Sequence, residues 1–173
     1  MSDGKNYTIH KSKKSQTDRF LDARESLRKT LEDTSFRLET VRELNGIEFV
    51  NDARSTDLLS TRDSFKCVLK PIVWLASATP HDRDYALIEK YVKYKIKSIV
   101  VYGGNGDDMK NKLGGFVEKF SAARDLREAV SLAFQMSTAG DVVVFSPSCT
   151  PTDAYRNFAD RGGAFKKHIE DLI

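Results

Sequence analysis

Polar side chains suited to ligand binding concentrate in four short segments of this 173-residue chain. They are Asn51 to Asp57, Ser77 to Asp84, Gly103 to Asp108 and Ser146 to Asp153. Each combines hydroxyls or glycines with carboxylates, and each directly follows a predicted strand. Ligands of parallel sheets gather beyond the carboxyl ends of the strands, where helix N-termini also face an anion. The four segments therefore predict a site for a small polar ligand at one edge of a sheet.

The glycine-rich segment at 103–106 suggests nucleotide chemistry, but its spacing does not support it. The dinucleotide pattern G-x-G-x-x-G begun at Gly104 needs a third glycine where Met109 stands. No G-x-x-x-x-G-K-[ST] motif occurs in the chain, so it lacks the phosphate cradle of P-loop ATPases. Any ATP chemistry must take its P-loop from elsewhere.

The cysteines and histidines do not predict a catalytic or metal centre. Cys149 lies in a strand-to-helix loop, where a helix N-terminus lowers a thiol pKa, but no histidine has a sequence-level reason to act as its base. A buried structural cysteine is the favoured interpretation, and a nucleophile is the alternative. The histidines share no metal-binding spacing, and two cysteines are too few for a disulfide framework. We therefore expect no structural metal and a reducing, cytoplasmic compartment.

Composition predicts one principal domain without a nucleic-acid or membrane role. Apolar residues make up 40% of the chain, enough for one core, and the net charge is only +3. No run approaches the roughly 20 apolar residues of a membrane span. Neither nucleic acid nor a membrane is an expected partner.

Periodicity predicts alternating strands and helices. Asn45-Gly46 accepts the positive φ angles of a tight hairpin turn between the first two strands. Strands are predicted at 37–44, 47–50, 72–76, 98–102, 117–120 and 142–145, and helices at 57–66, 85–92, 107–112, in about thirteen residues before Ala139-Gly140, and at 154–160 and 164–172. Such alternation predicts an α/β fold, a three-layer sandwich with a mostly parallel, Rossmann-like sheet and helices on both faces.

The first 33 residues are expected to lie outside this sandwich. Residues 1–16 are polar and lysine-rich, which predicts a disordered basic tail. Residues 17–33 place Phe20, Leu27 and Leu31 on one helical face, which predicts an amphipathic helix. That helix either docks on the domain at 34–173, the favoured interpretation, or binds a partner.

A specific resemblance emerges at the last strand. Ser146 to Gly162 reads S-P-S-C-T-P-T-D-A-Y-R-N-F-A-D-R-G. It resembles the S-P-A-C-A-S-x-D-x-F-x-N-F-x-x-R-G signature of the D-glutamate-adding branch of the Mur ligase family. Earlier segments follow in the family's order, with F-R-L-E at 36–39 against H-R-L-E and D-A-R-S-T-D at 52–57 against D-S-K-A-T-N. The resemblance covers about 34–173.

The resemblance implies the C-terminal, amino-acid-binding domain of an ATP-dependent ligase. In that family ATP phosphorylates a carboxylate of a nucleotide-linked muramoyl peptide, and an amino acid attacks the acyl phosphate through its amine. The matched positions imply that Arg37 and Asp52 approach the nucleotide, while Arg54, Thr56 and Phe158 lie beside the amino acid. ATP and Mg²⁺ belong to the parent enzymes, and this chain alone is expected to hold no cofactor.

Two positions depart from the family pattern. His81 stands where the family's lysine grips the carboxylate of the amino acid, so a permanent cation becomes one that is mostly neutral near pH 7. Pro151 stands where a substrate-binding serine is expected, and it has no hydroxyl to donate. The resemblance therefore extends to the fold more firmly than to the choice of amino acid.

Three functional hypotheses follow. The first is a stand-alone, non-catalytic ligase-like domain that binds ATP, an acidic amino acid or a partner protein. The second is a component of an amide-forming ligase, either a fragment or one chain of a split enzyme whose partner protein supplies the ATPase domain. The third is a scaffold that binds another protein through the helix at 17–33.

Overall fold

Six strands and five α-helices alternate along residues 35–79, 83–152 and 154–173, which are the residues that the computed structural model describes. The strands are β1 Glu39–Leu44, β2 Ile47–Asn51, β3 Ile72–Ser77, β4 Ile96–Tyr102, β5 Lys119–Ala123 and β6 Val142–Phe145. The helices are α1 Leu58–Cys67, α2 Ala86–Lys95, α3 Asp107–Leu113, α4 Leu126–Met136 and α5 Phe158–Glu170, and a 3₁₀ turn spans Gly114–Phe116.

The strands form one sheet in the order β1-β2-β6-β3-β4-β5. Among the described strands, β1 and β2 pair antiparallel and the other four pairs are parallel. Asn45 and Gly46 join β1 to β2 with φ angles of 54° and 75°, as the hairpin prediction requires. The predicted mostly parallel sheet is confirmed.

The central strands are buried on both faces, which explains their uninterrupted apolar sequences. Trp74 and its alternate neighbours on β3 pack with α1, α2 and α3, whereas Val73 and Leu75 pack with α4 and α5. Each face thus has its own apolar core. The three-layer α/β sandwich predicted from the sequence is confirmed.

The C-terminal helical prediction is wrong in one respect. The two pieces expected at 154–160 and 164–172 are one helix, α5, because Asn157 caps it and its Oδ1 accepts a hydrogen bond from Asp160 N at 2.8 Å. Gly162 and Gly163 lie inside this helix rather than breaking it. Residues 154–157 instead form the turns that lead into the cap.

The predicted tail at 1–16 and the predicted helix at 17–33 lie outside the described residues. Residues 35–173 form one unit. In the part of the chain that the structure describes, no helix has the length and apolar character needed to cross a membrane.

Candidate functional site

The loops that follow β2, β3 and β6 meet at the carboxyl edge of the sheet. Backbone hydrogen bonds join them directly, from Asp52 N to Phe145 O at 2.8 Å, from Ser77 N to Pro147 O at 3.1 Å and from Ser148 N to Ser55 O at 3.0 Å. Three of the four polar segments singled out in the sequence are thus brought together. Because these bonds are made by the backbone, they position the side chains of all three loops.

Asp52 lies in the interior of this junction and is fully buried. Its Oδ2 accepts a hydrogen bond from Ser146 Oγ at 2.8 Å and its Oδ1 accepts one from Leu38 N at 3.3 Å. Burial raises the pKa of this carboxyl, and the hydrogen bonds from neighbouring serines offset only part of that rise. A contact between this carboxylate and a nucleotide, as the resemblance implies, therefore requires Leu38 and its neighbours to move.

A second buried polar group ties the same loops together. Arg161 is 1% exposed and donates from Nη2 to Ala53 O at 3.1 Å and to Cys149 O at 2.9 Å. Its Nη1 lies 3.5 Å from the Sγ of Cys149, which is itself buried. The guanidinium thus links the ends of β2 and β6 from α5, and Cys149 is a packed interior residue, as its favoured interpretation predicted.

Next to this junction lies an open cavity of about 370 Å³, a volume within the range of small-molecule pockets. Its lining comes from the loops after β2, β3 and β6 and from the first turns of α1 and α2. The lining residues are Thr56, Asp57, Leu58, Leu59, Arg83, Asp84, Leu87, Ser148, Cys149 and Thr150. Thr56, one of the residues expected beside an amino acid, therefore lies in a cavity at the predicted edge.

Arg83 is the cation of this lining, and the sequence analysis did not single it out. Its Nη1 donates to Ser148 Oγ at 2.7 Å and to Ser148 O at 3.1 Å, and its Nη2 donates to Ser77 O at 2.8 Å. Its buried Nε has no hydrogen-bond partner in the described structure. The only sequence signal for this residue was its place at the end of the loop that follows β3.

Ser148 owes its unusual backbone conformation to the same contacts. Its φ angle is 55°, in the left-handed region that non-glycine residues seldom adopt. The conformation leaves its N–H bonded to Ser55 O and its hydroxyl and carbonyl oxygens bonded to Arg83. Arg83 thus fixes the loop that forms one wall of the cavity.

Arg54 and Phe158 form a separate cluster with the segment before β1. The guanidinium of Arg54 lies over the Phe158 ring, 5.3 Å from its centroid, and Phe158 meets Phe36 edge to face at 6.3 Å. Lys166 lies 4.7 Å from the centroid of the Phe36 ring and forms an ion pair with Glu39 at 2.6 Å. Arg54 and Phe158 are therefore in contact, but neither is part of the cavity lining that contains Thr56.

Two further site predictions concern Arg37 and His81. Arg37 is exposed on the segment that leads into β1. His81 lies outside the described residues, so its predicted place beside the amino acid stays a prediction. The loop at 103–106 follows β4, and it contributes no residue to the cavity. No group of three metal-ligating side chains occurs within residues 35–79, 83–152 and 154–173.

Sequence comparison identifies relatives that match most of this chain. The chain is 29% identical over 151 residues to the UDP-N-acetylmuramoylalanine--D-glutamate ligase of Porphyromonas gingivalis, covering 86% of this chain and 34% of that protein. It is 34% identical over 137 residues to the enzyme of the same name from Alkaliphilus metalliredigens, covering 79% and 30%. The chain thus spans about a third of the length of these relatives. No protein-family model matches it.

Solved structures with a related arrangement include the UDP-N-acetylmuramate-alanine ligase MurC from Thermotoga maritima, at a TM-score of 0.47 and 14% identity, covering 84% of this chain and 36% of that one. The signature at 146–162, the mostly parallel sheet and the similarity to D-glutamate ligases agree with one another. The chain belongs to the Mur ligase family, and its described residues form a C-terminal domain of the type found in the D-glutamate ligases.

Proposed function

We propose that this domain binds a free amino acid at the carboxyl edge of its sheet and presents the amine for amide formation by an ATP-dependent ligase. On this proposal the chain is not catalytic alone, because it contains no P-loop motif. The phosphate-binding and ATPase functions belong to another part of a longer protein or to a partner protein.

The observation that carries the proposal is the cavity beside Thr56. It combines the hydroxyl of Thr56 with the guanidinium of Arg83, whose Nη2 keeps one N–H beyond its hydrogen bond to Ser77 O, and such groups donate hydrogen bonds of the kind that hold a carboxylate. The rigid junction of the loops after β2, β3 and β6 holds these groups in place. ATP with Mg²⁺ would bind chiefly to the missing ATPase part, and the exposed Arg37 would supply a further contact to its phosphates.

The direct test is an NMR titration of the full chain with D- and L-amino acids, following the backbone amides of Thr56 and Thr150. Saturable shifts at these two amides are expected with at least one amino acid. In Thr56→Val, which keeps the shape of the side chain and removes its hydroxyl, binding should weaken about tenfold. The matched control is Thr40→Val on the exposed edge strand β1, which should bind as the original protein does. Silence from every amino acid tested would refute the proposal.

A reconstitution experiment tests whether the ATPase function belongs to another polypeptide. The chain should form no amide from ATP, an amino acid and a muramoyl peptide when it acts alone. Amide formation should begin only when a polypeptide with the P-loop and nucleotide-binding parts of such a ligase is added. Activity of the isolated chain would overturn the non-catalytic assignment.

A further inference from the structure

Three leucines line the cavity and favour a ligand with an apolar side chain. Leu58 is buried, whereas Leu59 and Leu87 are 47% and 39% exposed. The two exposed leucines lie in the first turns of α1 and α2 and line the cavity. A ligand that covered them would remove apolar surface from water, and an anionic side chain placed there would lose hydration without gaining a cationic partner.

The charges of the lining point in the same direction. Arg83 is the only cationic side chain among the described lining residues, whereas Asp57 and Asp84 contribute two carboxylates. Both carboxylates accept backbone hydrogen bonds at the start of a helix: Asp57 caps α1, where its Oδ1 accepts from Ser60 N at 2.7 Å, and Asp84 Oδ1 accepts from Ala86 N at 3.2 Å. The described lining residues therefore carry a formal charge of −1, which disfavours a ligand with a second carboxylate.

From these two observations we propose that the cavity selects an amino acid with an uncharged, apolar side chain, unlike the D-glutamate ligases that the chain resembles. The inference rests on the proposed function and names its substrate class. The α-carboxylate of the ligand would lie at Arg83, its ammonium group would face Asp57 or Asp84, and its side chain would cover Leu59 and Leu87. A neutral zwitterion satisfies all three requirements, and glutamate does not.

The test is isothermal titration calorimetry of the full chain with both enantiomers of leucine, glutamate and lysine. One enantiomer of leucine should bind at least about tenfold more tightly than either enantiomer of glutamate, a discrimination ordinary for an apolar pocket. Tighter binding of glutamate or lysine would overturn this inference and leave the proposed function standing. Absence of binding by all of them would overturn both.

A pair of substitutions locates the selectivity. Leu87→Lys places an ammonium group on the cavity wall, so it should weaken leucine binding and strengthen glutamate binding, each about tenfold. The matched control is Leu69→Lys, because Leu69 is 94% exposed and does not line this cavity. That variant should leave both affinities unchanged. Equal effects of the two substitutions would mean that the ligand binds elsewhere, and the inference would be wrong.

Discussion

Two neighbouring glycines of α5 offer a sharp test of how this domain is held together. Gly162 is buried, and a methyl group on its Cα would lie 2.4 Å from Phe36 Cδ1 and 3.0 Å from Ala53 Cβ. Gly163 is exposed, and a methyl group there would have no heavy atom of the described residues within 4 Å outside its own stretch of helix. Both residues are helical, so the backbone accepts alanine at either position. The two substitutions therefore differ only in what the new methyl group meets.

The two substitutions are expected to change the free energy of unfolding in opposite directions. Alanine is about 1 kcal/mol more favourable than glycine inside a helix, so Gly163→Ala should stabilise the domain by about 0.5–1 kcal/mol. In Gly162→Ala the same gain is outweighed by overpacking, which costs about 1–3 kcal/mol in a well-packed site. Hydrogen bonds to Glu39 and Arg54 hold the backbone of Phe36 in place, so its ring cannot easily move away from the new methyl group. We expect the two variants to differ by about 2 kcal/mol.

Urea unfolding followed by tryptophan fluorescence measures this difference. Trp74 is the only tryptophan of the chain, is fully buried and donates from Nε1 to Ser146 O at 2.7 Å, so its emission reports on the core next to the loop junction. In a Phe36→Ala background the penalty of Gly162→Ala should largely disappear, since the colliding ring is gone. If Gly162→Ala proved as stable as Gly163→Ala, the close packing of Phe36 on α5 would be refuted.

Three further changes test the electrostatics of the loops. Burial raises the pKa of Asp141, but hydrogen bonds from Lys97 and Thr138 outweigh it and leave the pKa lowered, so the carboxylate stabilises the fold at neutral pH. Asp141→Asn should lower the free energy of unfolding by about 1 kcal/mol at pH 7. In urea unfolding, the difference in stability between the original protein and this variant should shrink as the pH falls from the ordinary aspartate pKa of about 3.9 towards the lower pKa of the folded protein. For Asp52 the pKa is raised by burial, so the original protein loses stability as the pH rises through the folded pKa, and Asp52→Asn should not show this loss in the same titration. Arg83→Met removes the donors to the loops after β3 and β6 and should lower the free energy of unfolding by about 2 kcal/mol, as measured by urea unfolding at pH 7, where Leu69→Lys serves as the neutral control.

Most of the fold could be predicted from the sequence because local chemistry and tertiary packing agree there. The apolar run at 72–76 is a strand buried on both faces, and Asn45-Gly46 forms the hairpin turn. The carboxyl edge of the sheet was also identified, because each polar segment directly follows a strand. The types of the elements and the edge of the sheet where the candidate cavity lies could therefore be predicted from periodicity and strand direction, which are local properties of the sequence.

What could not be predicted depends on contacts between distant residues. Gly162-Gly163 favours a helix break locally, yet both glycines are helical. A side chain at Gly162 would collide with Phe36, which packs against α5 at this point. Asp52 follows a strand, as a ligand-binding carboxylate does, but the loops after β6 and before β1 bury it. Arg83 has no local signal beyond its place in the loop after β3, because its role depends on Ser148, 65 residues away. Each of these outcomes is decided by tertiary packing.

The residues of the family signature mostly serve the loop junction rather than the cavity. Ser146 bonds to Asp52, Arg161 bonds to Ala53 and Cys149, and Gly162 makes room for Phe36, all inside the protein. The cavity takes Ser148, Cys149 and Thr150 from that signature, whereas Leu59, Leu87 and Arg83 of its wall lie outside it. A chain can therefore keep the signature, and with it the rigid arrangement of the loops, while its ligand changes through a few residues on α1, on α2 and in the loop after β3. The proposed preference for an apolar amino acid is therefore compatible with the similarity of this domain to the D-glutamate ligases.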